Sequence, residues 1–385
     1  AINFSTYGAS FVHIDENGDP LTPLYNYIKP IDQKLIDDFF AKYGPKEEFL
    51  KQTGCSDLSM LNSGIQLYWL KYRKPEIFKK IKYSLHLPQY LSYVFTGIPL
   101  SEYTSIGCHT ALWNYDKKDY HDWVYAENLH KILPPIVSTE TSINMNYNGE
   151  RIKIGVGIHD SSAALLPYVR SINKNFALVS TGTWSIVFNP FTKKPIAENT
   201  EDVNTINYMR INGKPVKATR LFLGNEYKIQ VKKLDEHFGV SDDFHRNVSF
   251  DYDVFFEIMK DFQPCFKWES IKVSNMPKKT KITYNKFEHA YHQLMIELVT
   301  LQLESIKKCI GTDAIKRLYI DGGFSNNDLY IKLLSHYFRG MKLRTTDASL
   351  GSALGAAISI SDKKLNSKFL KENYSLKKHV PFIIK

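Results

Sequence analysis

The chain has 385 residues, 43% of them hydrophobic and 23% charged, with a formal net charge of +10. That length exceeds one ordinary core and predicts two domains, and the balance is that of a globular protein rather than a disordered or fibrous one. No apolar stretch reaches the length that spans a bilayer, so no membrane association is expected.

Four scattered cysteines, Cys55, Cys108, Cys265 and Cys309, form no Cys-x-x-Cys pair. They signal neither a zinc knuckle nor a disulfide framework, and they fit a reduced, cytoplasmic compartment. The opening residues, Ala1 to Ser5, carry no basic segment followed by an apolar run, which predicts no signal peptide. Half of the positive excess lies in the tail 361–385, where seven lysines face Asp362 and Glu372. A basic tail can meet nucleic acid or acidic lipid, but it also serves as a solvated helical end. No arginine-rich arm or basic–aromatic stripe accompanies it, so no nucleic-acid partner is expected.

Ile2 to Asp15 alternates as strands do and turns at Glu16-Asn17-Gly18-Asp19-Pro20. Helical patterns follow at 34–43, at 64–74 before Pro75, and at 88–95 before Thr96-Gly97. Another lies near Trp123 to Leu129. The polar stretch 138–151 is expected to hold a domain boundary, giving domains 1–152 and 153–385. Strand-like Arg151 to Val156 runs into Gly157-Ile158-His159-Asp160-Ser161-Ser162, where a small-residue helix begins. Phe176–Ser180 and Trp184–Phe188 flank Thr181-Gly182-Thr183 as a hairpin.

The stretch 240–285 reads as irregular and charged. Asn285 is then the expected N-cap of a long helix with Phe287, Tyr291, Leu294, Leu298 and Leu301 on one face, and Gly311 is its expected stop. A strand (317–320), the turn Gly322-Gly323, a helix (328–338), a strand (342–345) and the small-residue helix 350–357 complete an α/β alternation.

Asp160 stands at a strand-to-helix turn. A carboxylate there can take the proton from a hydroxyl as a phosphorus–oxygen bond forms, and it can equally be a helix N-cap. His159 can contact a substrate or serve as a structural hydrogen-bonder. Gly182 allows close approach of phosphate oxygens and Thr183 adds a hydroxyl, although any hairpin turn can call for glycine. Gly322 and Gly323 place a helix N-terminus beside whatever binds, and Asn326 or Asn327 can cap that helix or meet an adenine edge. The turn also stands as a plain strand–helix connection. The helix 350–357 is suited to tight packing on a sheet, or to close approach of a nucleotide.

In order and spacing, four runs resemble the FGGY family of carbohydrate kinases: Gly157-x-His159-Asp160-Ser161-Ser162-Ala163-Ala164, Ser180-Thr181-Gly182-Thr183-Trp184-Ser185, Asp321-Gly322-Gly323-x-Ser325-x-Asn327 and Leu350-Gly351-Ser352-Ala353-Leu354-Gly355-Ala356-Ala357. Leu91 to Gly97 with Ser101 to Ser105 resembles the first domain of that family. The resemblance implies an α/β chain of two actin/hexokinase-like (ribonuclease H-like) domains with an interdomain cleft. The first domain would bind sugar and the second ATP with Mg²⁺.

It also implies that Asp160 is the catalytic base, that Gly182 and Thr183 hold phosphates, and that Gly322, Gly323 and Asn327 border adenosine. His159, Tyr7 and Tyr25 become candidate sugar contacts. The runs look most similar to rhamnulokinase-like members, with fuculokinase-like ones next, which implies a small-molecule ketose substrate, a deoxy-ketose phosphorylated at a terminal hydroxyl. A homodimer is compatible with this reading.

Two departures accompany the resemblance. The family's leading Asp-x-Gly-Thr turn does not stand ahead of Ala1, so the first domain is expected to be incomplete at its start. Leu24 to Lys29 lacks the acid and the arginine of the family's sugar-contacting segment. Both leave open a non-catalytic relative that senses sugar or nucleotide.

Overall fold

The computed structural model describes residues 1–193, 204–273, 276–348 and 350–382. Lys385, the last lysine of the basic tail, and Ser274 and Asn275 of the irregular stretch lie outside them. The chain forms two compact units. The first comprises Ala1–Asn173, Pro190–Ala218 and Leu350–Ser367, and the second Lys174–Asn189, Thr219–Ser349 and Lys368–Lys385.

In the first unit the many aromatics build the core. Phe39, wholly buried, meets Phe49, Tyr68 and Trp123 edge-on at 5.1–5.2 Å between ring centres. Such T-shaped contacts add to the burial of apolar surface. The rings come from the helices Gln33–Tyr43, Lys46–Thr53, Ser63–Arg73 and Asp122–Ala126. The first of these is capped by Asp32, which accepts the Lys34 N–H. Trp123 satisfies its indole N–H on the Ala111 carbonyl at 2.8 Å.

Beside this core lie short strands. Phe11–Ile14 pairs antiparallel with Tyr83–His86. Ser5–Thr6 pairs parallel with Ile158–His159. The polar stretch around 138–151 folds as a hairpin, Ser142–Tyr147 with Glu150–Gly155. The helix Asp160–Ser171 follows and packs on the small-residue helix Gly351–Ser359, so tightly that a Cβ on Gly355 would lie 1.9 Å from the Ala163 carbonyl oxygen.

The second unit is built on a mixed sheet. Phe176–Thr181 pairs antiparallel with Ser185–Asn189 and parallel with Arg317–Gly322, which pairs parallel with Lys342–Thr345. The helix Asp328–Tyr337 makes the crossover between the two last strands. Nearly every residue of Phe176–Thr181 is buried, as expected of a central strand covered on both faces. The 24-residue helix Phe287–Ile310 packs on the neighbouring strand Ser185–Asn189, where the Ser185 hydroxyl donates to the Gln302 amide oxygen, and ends at Gly311.

Two expectations need correction here. Asn285 is not the cap of the long helix: Lys286 holds that position, without a side-chain bond. The stretch 240–285 is also not wholly irregular. It contains the helix Tyr252–Lys260, started by Asp251, whose carboxylate accepts the Asp253 and Val254 N–H groups.

Candidate active site

In the first unit, the chain is forced into a sharp turn just before the carboxylate. Gly157 has φ +90°, and a Cβ there would lie 2.6 Å from the Pro88 carbonyl oxygen, so only glycine fits. The Asn3 amide oxygen accepts the Gly157 N–H, while its nitrogen donates to Ala356 O and Ser359 Oγ, each at 2.8 Å. One side chain therefore ties the turn to the small-residue helix.

His159, not Asp160, takes the N-cap position of the helix, and its ring makes no capping bond. Asp160 is the first helical residue. Its Oδ1 accepts the Ser161 N–H at 2.5 Å and lies 3.3 Å from His159 Nε2. The carboxylate is 43% exposed, whereas the His159 ring is 2% exposed. Burial lowers the pKa of His159, opposed by the charges of Asp160 and Glu102. This is an accessible acid at the positive end of a helix, held beside a buried, neutral imidazole.

A carboxylate that the sequence reading passed over holds this corner in place. Glu102 is wholly buried. It accepts the Thr104 N–H (2.7 Å), the Thr104 hydroxyl (2.8 Å), the Ser105 N–H (2.6 Å) and the Thr139 hydroxyl (2.6 Å). With its proton committed to Glu102, the Thr104 hydroxyl accepts the His159 N–H at 3.1 Å.

Tyr7 directly follows Thr6, the residue paired with His159, and its side chain is exposed. It therefore emerges at the same strand ends as Asp160. Tyr25 is instead packed edge-on against Trp69 at 5.1 Å, with its carbonyl accepting the Ser10 hydroxyl.

The second unit holds a cavity of about 930 Å³. Gly182, Thr183, Gly323 and Asn327 all line it. Gly322 does not: it turns the chain at φ +79°, and a Cβ there would strike the Thr181 carbonyl oxygen at 1.9 Å. At Gly323 an added Cβ would meet nothing within 4 Å, and at Gly182 only Trp184 O at 3.9 Å. Those two edges are open to a ligand. The Thr181 hydroxyl joins the two turns, donating to Asp321 O (2.5 Å) and accepting the Phe324 N–H (3.0 Å). Asn327 caps the helix Asp328–Tyr337 through the Tyr330 N–H, and its amide nitrogen donates to the Tyr291 hydroxyl, itself paired with Tyr227.

The remaining wall was not foreseen. It is the helix Leu223–Phe238, with Gly224, Tyr227, Lys228, Lys232 and Asp235, followed by Asp242, Asp243, His245 and Arg246. Gly224 lies against the Gly182 turn, where a Cβ would sit 1.9 Å from Gly182 O. Open glycine backbone and aromatic rings at Tyr227 and Phe324 suit a nucleotide, while the three cations of the wall are matched by Asp235, Asp242 and Asp243.

Magnesium takes hard oxygen ligands. Among the described residues, the set of three close His, Cys, Asp or Glu ligands is Cys108, His109 and His159. That thiol-and-imidazole set does not fit magnesium.

Rhamnulokinase from Halalkalibacterium halodurans is 25% identical over 195 residues, 49% of this chain and 41% of its own length. Rhamnulokinase from Bacteroides thetaiotaomicron is 26% identical over 222 residues, 55% and 45% of the two chains. The matched stretches thus span less than half of these relatives. A carbohydrate kinase from Novosphingobium aromaticivorans superposes with a TM-score of 0.76 at 21% identity, over 99% of this chain and 82% of that one. A xylulose kinase from Rhodospirillum rubrum gives 0.77 at 14% identity, over 99% and 79%. These likenesses show a mixed α/β fold of the actin–hexokinase kind. The family descriptions "FGGY family of carbohydrate kinases, N-terminal domain" and "Carbohydrate kinase FGGY, C-terminal domain" match residues 1–166 and 173–368, and the chain belongs to the FGGY family of carbohydrate kinases.

Proposed function

We propose that this protein transfers the terminal phosphoryl group of ATP to a sugar hydroxyl, with a deoxy-ketose of the rhamnulose or fuculose type as acceptor. The observation that carries this reading is the exposed Asp160 carboxylate at the start of a helix, held beside a buried imidazole, in a chain that also has a glycine-edged cavity of nucleotide size. Asp160 accepts the proton of the attacking hydroxyl, which sharpens an otherwise poor nucleophile. His159, buried, orients that carboxylate rather than meeting sugar itself, the exposed Tyr7 contacts sugar, and Tyr25 supports the sugar side through its packing on Trp69. Gly182 and Thr183 present backbone and hydroxyl to the phosphates. Gly323 leaves room at the adenosine, and Gly322 shapes that turn. Asn327 acts by fixing the helix start rather than through a free amide. Magnesium accompanies the nucleotide as its counter-ion. The free cysteines support a cytoplasmic setting.

The kinase names among the relatives support a ketose or a related polyol, and the rhamnulokinases favour the deoxy-ketose. The test is ADP release with ATP and a panel of ketoses and polyols, on the wild type and on Asp160→Asn. Sugar-dependent release in the wild type and its loss in the variant, with ATP binding retained, is the expected result. Equal turnover in both removes Asp160 from the chemistry. ATP and sugar binding without any turnover would instead support a sensor of the same fold.

A further inference from the structure

The first unit brings together three metal-ligating side chains that the phosphoryl-transfer reading leaves unused as a set. Cys108 and His109 follow the short helix Tyr103–Ile106, and His159 ends the strand Ile158–His159. One ligand atom from each lies within 4.8 Å of the other two. All three are inside the protein: Cys108 is 1% exposed, His159 2% and His109 8%. His159 Nδ1 has no hydrogen-bond partner despite that burial. An unpartnered buried nitrogen costs free energy unless something binds it.

The space between thiol and imidazole exists because residue 8 has no side chain. A Cβ on Gly8 would lie 2.8 Å from Cys108 Sγ and 2.6 Å from His159 Cδ2. The ring of Tyr208 stacks on His159 at 5.3 Å and meets His109 edge-on at 5.8 Å, which walls the space with apolar surface.

We propose that Cys108, His109 and His159 form a binding site for a thiophilic divalent transition metal of the zinc class, and that its occupancy shuts off the adjacent Asp160. One thiolate and two imidazoles are a donor set of zinc, with a fourth position open to water or to a carboxylate. The imidazoles bind through ring-nitrogen lone pairs, and burial favours the neutral form of His159. The thiol must give up its proton, which passes to solvent, so one proton leaves per metal bound. His159 Nε2 lies 3.3 Å from Asp160 Oδ1, so a metal held by this ring sets its positive charge one imidazole away from the carboxylate and opposes proton uptake there. The inhibitory half of the proposal rests on Asp160 being the base. The metal site does not.

The test uses Co²⁺ as a spectroscopic probe on the whole chain. One equivalent should bring a sulfur-to-cobalt charge-transfer band in the near ultraviolet, with release of one proton, and Zn²⁺ should displace it. Cys108→Ser should abolish the band. An unchanged spectrum in that variant, or no stoichiometric binding by the wild type, overturns the site. Should Cys108→Ser fail to fold, the first coordination shell of zinc bound to the wild type decides by X-ray absorption: one sulfur supports the proposal and a shell of only nitrogen and oxygen refutes it. Zn²⁺ should also suppress sugar-dependent ADP release in the wild type and spare Cys108→Ser. Equal inhibition of both refutes the shut-off. Absence of any turnover would sink the kinase reading and leave the cobalt spectrum as the independent readout.

Discussion

Replacing Gly355 by alanine adds one methyl group where two helices touch. The new Cβ would stand 1.9 Å from Ala163 O, 2.4 Å from Ala163 C and 2.8 Å from Ala163 Cα. All three are backbone atoms, so no side chain can rotate away. Ordinary contact needs about 3.5 Å, so the helix Asp160–Ser171 must retreat by about 1.5 Å. Overpacking of this kind costs about 1–3 kcal/mol, equivalent to about 2–12 °C in melting temperature for a domain of this size. The moved helix carries Asp160 as its first residue, and a misplacement of about 1 Å in a catalytic group can cost about 100-fold in rate.

Differential scanning calorimetry and sugar-dependent ADP release, measured well below the melting temperature, should both register the change. Gly323→Ala is the contrast. Its Cβ meets nothing within 4 Å, so stability should shift by less than about 0.5 kcal/mol while the KM for ATP rises. A Gly355→Ala protein that melts within a degree of the wild type at full turnover would refute the close helix contact and the reasoning built on it.

Glu102→Gln replaces an acceptor of four hydrogen bonds with a group that presents an amide donor. It should lower stability by about 1–3 kcal/mol and reduce kcat more than KM, because the Thr104–His159 link positions the carboxylate; a loss confined to KM would contradict that role. Acid sensitivity should follow from two buried imidazoles. Burial lowers His13 to about 4; burial first, and then repulsion from His159 once that ring is protonated, lowers His86 to about 3. Both titrate near 6.5 when unfolded, so the stability they confer is complete above pH 6.5 and is lost as pH falls toward 4, by up to about 3 kcal/mol for His13. A urea midpoint that stays flat from pH 7 to pH 5 would refute this.

Several elements were legible because their signals are local. The helices near 34–43 and 64–74, the hairpin around Gly182 and the strand–turn–helix around Gly322 all appear where periodicity and glycine place them. The helix Leu223–Phe238 was not seen, because polar residues interrupt its apolar face. Glu226, Gln230 and Asp235 are buried there, and Glu226 is satisfied by Glu269 and Ser270, more than forty positions away. Asp160 was recognised at the turn, but its offset of one residue from the cap depends on the backbone of His159, which residue identity does not encode. The cluster of Cys108 with His159 was equally invisible. Its members lie about fifty residues apart and meet through contacts such as that of Thr104 with His159, and such long-range pairings leave no local trace.

The Thr181 hydroxyl spends its single proton on Asp321 O and one of its lone pairs on the Phe324 N–H. The hairpin that would face phosphate and the glycine bend that would face adenosine are thereby bolted into one rigid bracket, with a single oxygen as the bolt. Serine would preserve that bolt. Valine, with nearly the same outline, would remove it and let the two loops drift independently, so the geometry offered to the two ends of a nucleotide depends on one atom that touches neither.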